Sequence, residues 1–375
     1  MAVYLDDDKR NHIIDLIKTI LAKGKCSVRR LAKVIGTLVA SFPAVEYGRL
    51  FYRELEMIKI RSLRDSYNYE KIIWLTEESK EELKWWIQEG VFSGKVISHG
   101  NPNTIIETDA SDFGYGGVIR NSEISTQGLF NETEIKLHIN VKEALAVKFC
   151  VQAFFAEETD VHIQIQCDNT TTVSYINNMG GTHSKQCNEV VRELLKWCKI
   201  RNLWVSACHI AGKDNVSADT LSRKFNRNLE WSLNKEVFES ICLRFGTPKI
   251  DAFASRHNRQ VELYYSRFPE PETLAVDAFS VKWVEFLYIF PPFNLIPRIL
   301  RKIVEDRTDK VVMVIPVWET QVWFPKLTEM LTSTPMKLPV RKDLLMLPSN
   351  RTDIHPLFPK LRMWACCLSG GNSGI

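Results

Sequence analysis

The sequence predicts an α/β protein in three parts: a helical front section, a mixed sheet with flanking helices, and a second α/β section. Apolar residues recur at helical spacing in the front part and switch to a period of two near residue 103. Strand-like and helix-like stretches alternate after that point. A length of 375 residues also favours more than one domain. We place the three sections at residues 1–97, 98–227 and 236–375.

The front section is predicted to be entirely helical. Residues 7–24 carry apolar side chains at helical spacing and end in a glycine. Ser27 is a suitable cap for a second helix that runs to Val39. A third helical stretch is predicted over residues 67–90. This section presents no catalytic chemistry of its own.

The middle section predicts the element order β-β-β-α-β-α-α-β-α, which is typical of a mixed α/β sheet. Its apolar pattern alternates in the strands and becomes helical between them. The predicted strands are 104–109, 114–119, one near 135–140, 161–167 and 204–210, and the predicted helices are 141–156, 170–178, 184–201 and one that begins at 217.

The end section returns to α/β character after a polar stretch, 224–235, that we interpret as a linker. Strands are predicted near 250–254, 286–290 and 310–317, with helical stretches between them. Strands separated by helices favour a parallel sheet with crossover connections.

Composition excludes several classes of protein. Hydrophobic residues make up 45% and charged residues 25%, as in a globular protein in water. No stretch is apolar enough for a membrane span, and no secretory leader is recognisable, so we expect no membrane association. Nine cysteines without paired spacing indicate reduced thiols and no structural zinc, which predicts a cytoplasmic or nuclear location.

Four acidic residues occupy junctions between predicted elements. Asp109 ends the first strand of the middle section, Glu143 opens its apolar helix, Asp168 ends the next strand, and Asp219 opens the closing helix. Each one alone is more simply read as a helix cap or a solvated residue. Together they predict one group of carboxylates at a sheet edge, which requires a cation, and oxygen ligands select Mg²⁺ or Mn²⁺. Two such ions can promote hydrolysis of a phosphodiester.

The segments around these acids resemble the ribonuclease H domains of retroelements. Four motifs match in order: Thr108-Asp109-Ala110-Ser111 with Gly114-Tyr115-Gly116-Gly117, Asn140-Val141-Lys142-Glu143, Cys167-Asp168-Asn169, and His209-Ile210-Ala211-Gly212 with Ala218-Asp219-Thr220. The resemblance implies that the domain cuts the RNA strand of RNA–DNA hybrids with two Mg²⁺ (or Mn²⁺) ions, and that the four acids are catalytic metal ligands. It also implies that His209 assists product release, although His209 could instead pack its ring within the last strand.

The same resemblance implies how the hybrid is recognised. The family distinguishes hybrids by contacts to 2′-hydroxyl groups and by the shape of the minor groove. Asn169, Asn177 and groups near Ser111 are the candidates for these nucleic-acid contacts, and each could equally be a turn or cap residue.

The front section resembles the thumb and connection region that precedes ribonuclease H in retrotransposon polyproteins, through segments such as Leu31-Ala32-Lys33 and Glu82-Leu83-Lys84-Trp85-Trp86. The resemblance implies a role in gripping duplex or in holding a reverse transcriptase, whether separate or upstream. A helical spacer with core tryptophans remains the alternative.

The end section resembles Dam-like adenine-N6 DNA methyltransferases, through Asp251 and the segment Phe290-Pro291-Pro292-Phe293. A ribonuclease H followed by such a domain resembles the DIRS-like retrotransposons, which use a tyrosine recombinase. Active methyltransferases of this type have Asp or Asn where Phe290 stands, and phenylalanine cannot accept a hydrogen bond from the adenine amine. We therefore expect a degenerate domain that does not use S-adenosylmethionine and that binds DNA through Phe293 and nearby basic residues.

Three hypotheses follow for the whole chain. The leading one is a retroelement-derived ribonuclease H. The alternatives are an inactive nucleic-acid-binding remnant and, least favoured because of Phe290, a DNA adenine-N6 methyltransferase.

Overall fold

The computed structural model describes residues 1–64, 67–225, 231–348 and 353–371. It contains both helices and sheets, which confirms the predicted α/β class. The chain divides into two compact units: residues 1–107, 143–148 and 158–215 form one, and residues 108–142, 149–157 and 216–375 form the other. Within the described ranges, no helix has the length and apolar character needed to cross a membrane.

The first part of the chain is mostly helical and carries two small antiparallel sheets. Residues 2–3 pair with residues 95–96, and residues 25–27 pair with residues 72–74. The elements are β1 (Ala2–Val3), α1 (Asp7–Lys23), β2 (Lys25–Ser27), α2 (Val28–Val39), α3 (Arg53–Arg64), β3 (Ile72–Trp74), α4 (Glu77–Gln88) and β4 (Lys95–Val96).

The first two predicted helices are confirmed, and the third is wrong in its first half. Gly24 ends α1 with φ at 63°, and the Ser27 side chain accepts a hydrogen bond from the Arg30 amide at the start of α2. Residues 72–74 form a strand instead of helix, because this β-branched segment pairs with β2. Helix α4 begins only after Thr76, whose hydroxyl caps it.

Helix α4 places a carboxylate in the interior of the front part. The side chain of Glu82 is fully buried and accepts hydrogen bonds from the backbone amides of Glu54 and Leu55 at the start of α3. A guanidinium nitrogen of Arg192 lies 3.8 Å from it. Burial raises the pKa of Glu82 to about 7 despite these partners.

The middle part is built on a five-stranded sheet of order β7-β6-β5-β8-β9. Strands β6 and β7 are antiparallel, whereas β8 is parallel to both β5 and β9. The predicted order of elements is confirmed. The elements are β5 (Thr104–Ala110), β6 (Gly114–Ile119), β7 (Ser125–Leu129), α5 (Ile139–Phe154), β8 (His162–Cys167), α6 (Thr170–Asn177), α7 (Lys185–Ile200), β9 (Trp204–His209) and α8 (Val216–Arg223).

One predicted strand of this sheet is wrong. The third strand is β7, and not the segment near 135–140. The side chain of Asn131 accepts hydrogen bonds from the amides of Thr133 and Glu134 and so turns the chain. The ring of His138 then caps α5. Strand β7 has a short polar sequence with Gly128, which gives no alternating pattern.

The last part contains a seven-stranded sheet of order β13-β12-β11-β14-β15-β18-β16 and a two-stranded sheet of β10 and β17. The elements are β10 (Ser232–Leu233), α9 (Lys235–Phe245), β11 (Ile250–Asp251), β12 (Leu263–Ser266), β13 (Ala275–Val276), β14 (Leu287–Ile289), α10 (Ile296–Glu305), β15 (Val311–Pro316), α11 (Phe324–Glu329), β16 (Met336–Lys337), β17 (Leu345–Met346) and β18 (Met363–Leu368).

The predicted parallel sheet is confirmed from β11 to β15 but not at its far edge, where β18 runs antiparallel to both β15 and β16. Strand β15 is buried on both faces, because Val311 and Met313 belong to one apolar core and Val312 and Val314 to another. A continuous apolar strand is the expected signature of this arrangement. The predicted linker, 224–235, lies partly outside the described residues, at 226–230, and its end already forms β10 and the start of α9.

Candidate active site

Three of the four predicted acids meet at one point. Carboxylate oxygens of Asp109, Glu143 and Asp168 all lie within 4.8 Å of one another. The first two side chains are buried and the third is partly exposed. Like charges at such distances repel, so the three carboxylates are stable together when a cation or a proton offsets their charge.

The topology of the sheet explains this meeting. Strands β5 and β8 are adjacent and parallel, so their carboxyl ends lie at the same edge. Asp109 is near the end of β5, and Asp168 directly follows β8. Glu143 comes from the second turn of α5, which follows β7 along the chain.

Helix α8 supports the carboxylate of Asp109. The hydroxyl of Ser222, which is fully buried, donates a hydrogen bond to an Asp109 oxygen at 2.5 Å. The helix reaches this position because Gly116 in β6 has no side chain. A Cβ atom at Gly116 would lie only 2.5 Å from the Leu221 Cβ and 2.7 Å from the Ala218 carbonyl oxygen.

The carboxylate of Asp168 is approached closely by a loop backbone. A Cβ atom on Gly212 would lie 2.9 Å from an Asp168 oxygen. Gly212 opens a short 3-10 turn that follows β9. Only glycine at this position leaves the carboxylate where it stands.

The fourth acid, Asp219, does not join this group of three. Its side chain is 44% exposed and lies 2.6 Å from the guanidinium of Arg223, one helical turn along α8. The hydrogen bond to Asp219 raises the pKa of Arg223. Asp219 therefore engages a cation of the chain itself.

His209 is the last residue of β9 and lies opposite Cys167 in the sheet. Its side chain is exposed. The alternative in which its ring packs inside the strand therefore does not apply. Burial raises the pKa of the neighbouring Cys167 thiol to about 12, so that thiol stays protonated near neutral pH.

The three candidate nucleic-acid contacts are all engaged within the fold. The Ser111 hydroxyl accepts hydrogen bonds from the amides of Phe113 and Gly114. Asn169 caps α6. The amide group of Asn177 bonds both backbone groups of Ala207, with distances of 2.7 and 2.9 Å, and so joins α6 to the edge strand β9. The side chain of Ser111 thus stabilises a turn, that of Asn169 caps a helix, and that of Asn177 joins a helix to a strand.

The methyltransferase-like residues of the end section also have structural partners. The carboxylate of Asp251 is buried and accepts hydrogen bonds from the amides of Gln260 at 3.0 Å and Phe253 at 3.4 Å, and burial raises its pKa to about 7. Phe290 packs against Phe293, with ring centroids 6.4 Å apart. Of the two prolines between them, Pro291 is buried and Pro292 is partly exposed.

Three residues of the site, Ser222, Gly212 and Arg223, belong to the closing motif, but sequence reasoning gave them no role in it. Two of them had a readable signal. Ser222 and Arg223 follow Asp219 by three and four residues in a predicted helix, which places them on the same face. The contact between Gly212 and Asp168 joins segments that are distant in the sequence, so no local pattern predicts it.

Two family models match the chain. Residues 101–225 match the family described as reverse transcriptase-like, and residues 220–333 match the DNA N-6-adenine-methyltransferase (Dam) family. These matches agree with the predicted order of the middle and end sections.

Curated relatives are viral polyproteins. The enzymatic polyprotein of Cauliflower mosaic virus (strain D/H) is 34% identical, over 41% of this chain and 26% of the polyprotein. That of Figwort mosaic virus (strain DxS) is 29% identical, over 48% of this chain and 28% of the polyprotein. The chain thus spans about a quarter of the length of these relatives.

Similar solved structures include LC11-RNase H1 in complex with an RNA/DNA hybrid. The similarity covers 32% of this chain and 93% of that chain, with 20% sequence identity and a TM-score of 0.27.

Proposed function

We propose that the middle section is a ribonuclease H that hydrolyses the RNA strand of RNA–DNA hybrids. The observation that carries this proposal is the meeting of Asp109, Glu143 and Asp168, whose carboxylate oxygens lie within 4.8 Å of one another. The match of residues 101–225 to the reverse transcriptase-like family supports it, as do the polyprotein relatives.

The donor set fits divalent metal ions. It consists of carboxylate oxygens on three different elements, without sulfur or imidazole among them, and such hard ligands select Mg²⁺ or Mn²⁺. Asp109, Glu143, Asp168 and Asp219 would hold two ions. Bound there, the ions would activate water and stabilise the leaving oxygen of a phosphodiester.

The chain's own groups prepare this site. Ser222 fixes the orientation of Asp109, and the Gly212 backbone limits where Asp168 can turn. Asp219 must leave Arg223 before it can act as a ligand. That exchange costs little, because a partly exposed ion pair contributes only about 0–1 kcal/mol. His209 is exposed at the end of β9, where departing product can reach it.

The substrate assignment rests on the resemblance to retroelement ribonucleases H. We assign hybrid recognition to the surface around Ser111, Asn169 and Asn177, with backbone groups making the contacts, since those three side chains are engaged within the fold. The domain division at 1–97, 98–227 and 236–375 belongs to the same proposal.

The order of the two family matches supports an origin in a DIRS-like retrotransposon polyprotein, with the front section as part of a reverse-transcriptase connection. In that setting a separate or upstream reverse transcriptase is the partner that supplies the hybrid. The site of action is then the cytoplasm or the nucleus.

A second function is favoured by one observation. Because Asp219 is paired with Arg223 and lies outside the group of three acids, the chain could bind nucleic acid as a remnant that cuts nothing. A methyltransferase is disfavoured by the phenyl ring of Phe290.

Cleavage of an end-labelled RNA–DNA hybrid by the full chain separates these functions. We expect the RNA strand to be cut in Mg²⁺ or Mn²⁺, and Asp168→Asn to abolish cutting. Asp214→Asn is the matched control, because it removes the same charge from an exposed residue near the site but outside the group of three. If the unaltered chain binds the hybrid but does not cut it in either metal, the nuclease hypothesis is refuted and the hypothesis of a binding remnant stands.

A further inference from the structure

A large cavity lies at the carboxyl ends of the parallel strands of the seven-stranded sheet. Its volume is about 820 Å³, which is within the range of ligand-binding sites. The lining includes Ala252 and Phe253 directly after β11, Arg267 and Phe268 directly after β12, and Pro292 after β14. The cavity is therefore formed by the loops that leave the sheet on one side, together with Gln127–Leu129 of β7 and with Lys224 and Phe225 after α8.

This position is the place where an open α/β sheet reverses its strand order. From β11 the chain moves outward to β12 and β13 on one side, and it returns to β14 and β15 on the other. The crevice between two such strands, outside their carboxyl ends, is the usual ligand site in sheets of this kind. Topology alone thus indicates a binding site between the β11 and β14 loops.

The charged groups of the lining favour an anion. Lys224, Arg267 and Arg298 line the cavity, are exposed, and form no ion pair with any residue that the structure describes. A fourth cation, Arg256, is paired with Glu134. Three unpaired cations at one opening attract a phosphate or another anion.

Two acids, Glu270 and Asp277, also line the cavity. Glu270 is buried and accepts hydrogen bonds from the Arg256 amide and the Tyr264 hydroxyl. Asp277 accepts a hydrogen bond from the amide of Phe279 and is exposed to water. Three unpaired cations therefore face two acids in the lining, so positive charge is in excess.

Aromatic rings lie beside the cations. The guanidinium carbon of Arg298 is 3.6 Å from the centroid of the Phe279 ring, and Phe253 meets that ring edge-on at 5.5 Å. On the opposite loop, Arg267 lies 5.3 Å from the ring of Phe268. Phenyl faces next to guanidinium groups are suited to stack a base while the cations contact its phosphate.

S-adenosylmethionine, the methyl donor implied by the Dam family match, does not fit this lining. It carries a sulfonium and an ammonium cation against one carboxylate, and the unpaired cations at the opening would repel it. In addition, the sequence has no glycine between Gly246 and Gly370, so no backbone in this section can approach a cofactor as closely as glycine allows.

We infer that this cavity binds a nucleotide, with its base against Phe279 and Phe253 and its phosphate at Arg298 and Arg267. The ligand is either a free mononucleotide or a nucleotide within a nucleic-acid strand, since both present the same base and phosphate. The site is separate from the acids of the middle section and does not depend on their cutting anything.

Titration calorimetry on the full chain tests this site with four probes: adenosine 5′-monophosphate, inorganic phosphate, S-adenosylmethionine and a short single-stranded oligodeoxynucleotide. We expect the monophosphate to bind more tightly than either phosphate or S-adenosylmethionine. Arg298→Gln should weaken it about tenfold, the value of one hydrogen bond to a charged group. Arg267→Gln should act in the same direction and gives a second, independent variant.

Arg301→Gln is the matched control. It removes the same charge three residues further along α10, where Arg301 is paired with Glu305 and does not line the cavity. Binding of the oligonucleotide alone, with the same difference between the two arginines, would also support the site and identify a nucleotide within a strand. Four results would each overturn the inference. They are tighter binding of S-adenosylmethionine than of the monophosphate, equal effects of Arg298→Gln and Arg301→Gln, equal affinity for phosphate and for the monophosphate, and no binding of any probe.

Discussion

The hydrogen bond from Ser222 to Asp109 is the most specific support of the acid group, and Ser222→Ala removes it together with the weaker contact of the same hydroxyl to the Asp219 carbonyl within α8. Both side chains are buried, at 0% and 3% exposure, so water cannot replace the lost donor. A hydrogen bond to a charged acceptor contributes about 1.5–3 kcal/mol, and its loss leaves a buried carboxylate short of one partner. We therefore expect the opening of α8 to become easier by about that amount.

Hydrogen–deuterium exchange measured by mass spectrometry reports this opening directly. Peptides that cover α8 should exchange about 10 to 100 times faster in Ser222→Ala, which corresponds to that loss of free energy. Ser217→Ala is the matched control, because Ser217 is an exposed residue of the same helix. Exchange in α8 that is as slow in Ser222→Ala as in Ser217→Ala would refute the role assigned to Ser222.

Three further predictions concern other parts of the chain. Gly212→Ala should lower hybrid cleavage about 10- to 100-fold, because its Cβ would displace the Asp168 carboxylate. Gly36→Ala is the control and should leave cleavage unchanged, because there is open space around its Cβ. Equal cleavage rates for the two variants would contradict the contact between Gly212 and Asp168. Because burial raises the pKa of Glu82 to about 7, from an ordinary value of 4.5, the folded chain binds this proton more tightly than the unfolded chain. That stabilisation is complete below pH 4.5 and is lost as the pH rises through about 7, so urea unfolding should show a falling free energy over this window that Glu82→Gln flattens. Finally, the full chain with S-adenosylmethionine and duplex DNA should form no N6-methyladenine detectable by mass spectrometry, since Phe290 offers no acceptor for the amine; measurable product would overturn the assignment of a degenerate domain.

The meeting of three acids could be predicted because it depends on strand ends. Asp109 lies in β5 and Asp168 directly follows β8, two strands that the alternating pattern reveals, and adjacent parallel strands necessarily end at one edge. The position of the Asp219 side chain could not be predicted, because it depends on a choice between two nearby partners. The helical spacing brings Arg223 within reach, but Asp219 could equally face a cation held by the acid group, and spacing alone does not decide between these two partners.

The errors in the fold have a common physical origin. Strand β7 and strand β3 are short and are stabilised by their partners β6 and β2, so their own sequences carry little signal. The roles of Asn177 and Ser111 were left open for a similar reason. Asn177 is held by a hydrogen bond to the backbone of Ala207, and Ser111 by one to the backbone of Ser222. Contacts between such distant residues cannot be predicted from local sequence.

The acid group draws on three separate segments, so it exists only in the folded chain. Any divalent cation that binds it must therefore stabilise the fold by mass action, by about 2.7 kcal/mol at a concentration one hundred times its dissociation constant. Chelation would then lower the unfolding temperature of the full chain even in a variant that cuts nothing. The same three acids would thus link the stability of the fold to the proposed cleavage through whichever divalent ion they bind.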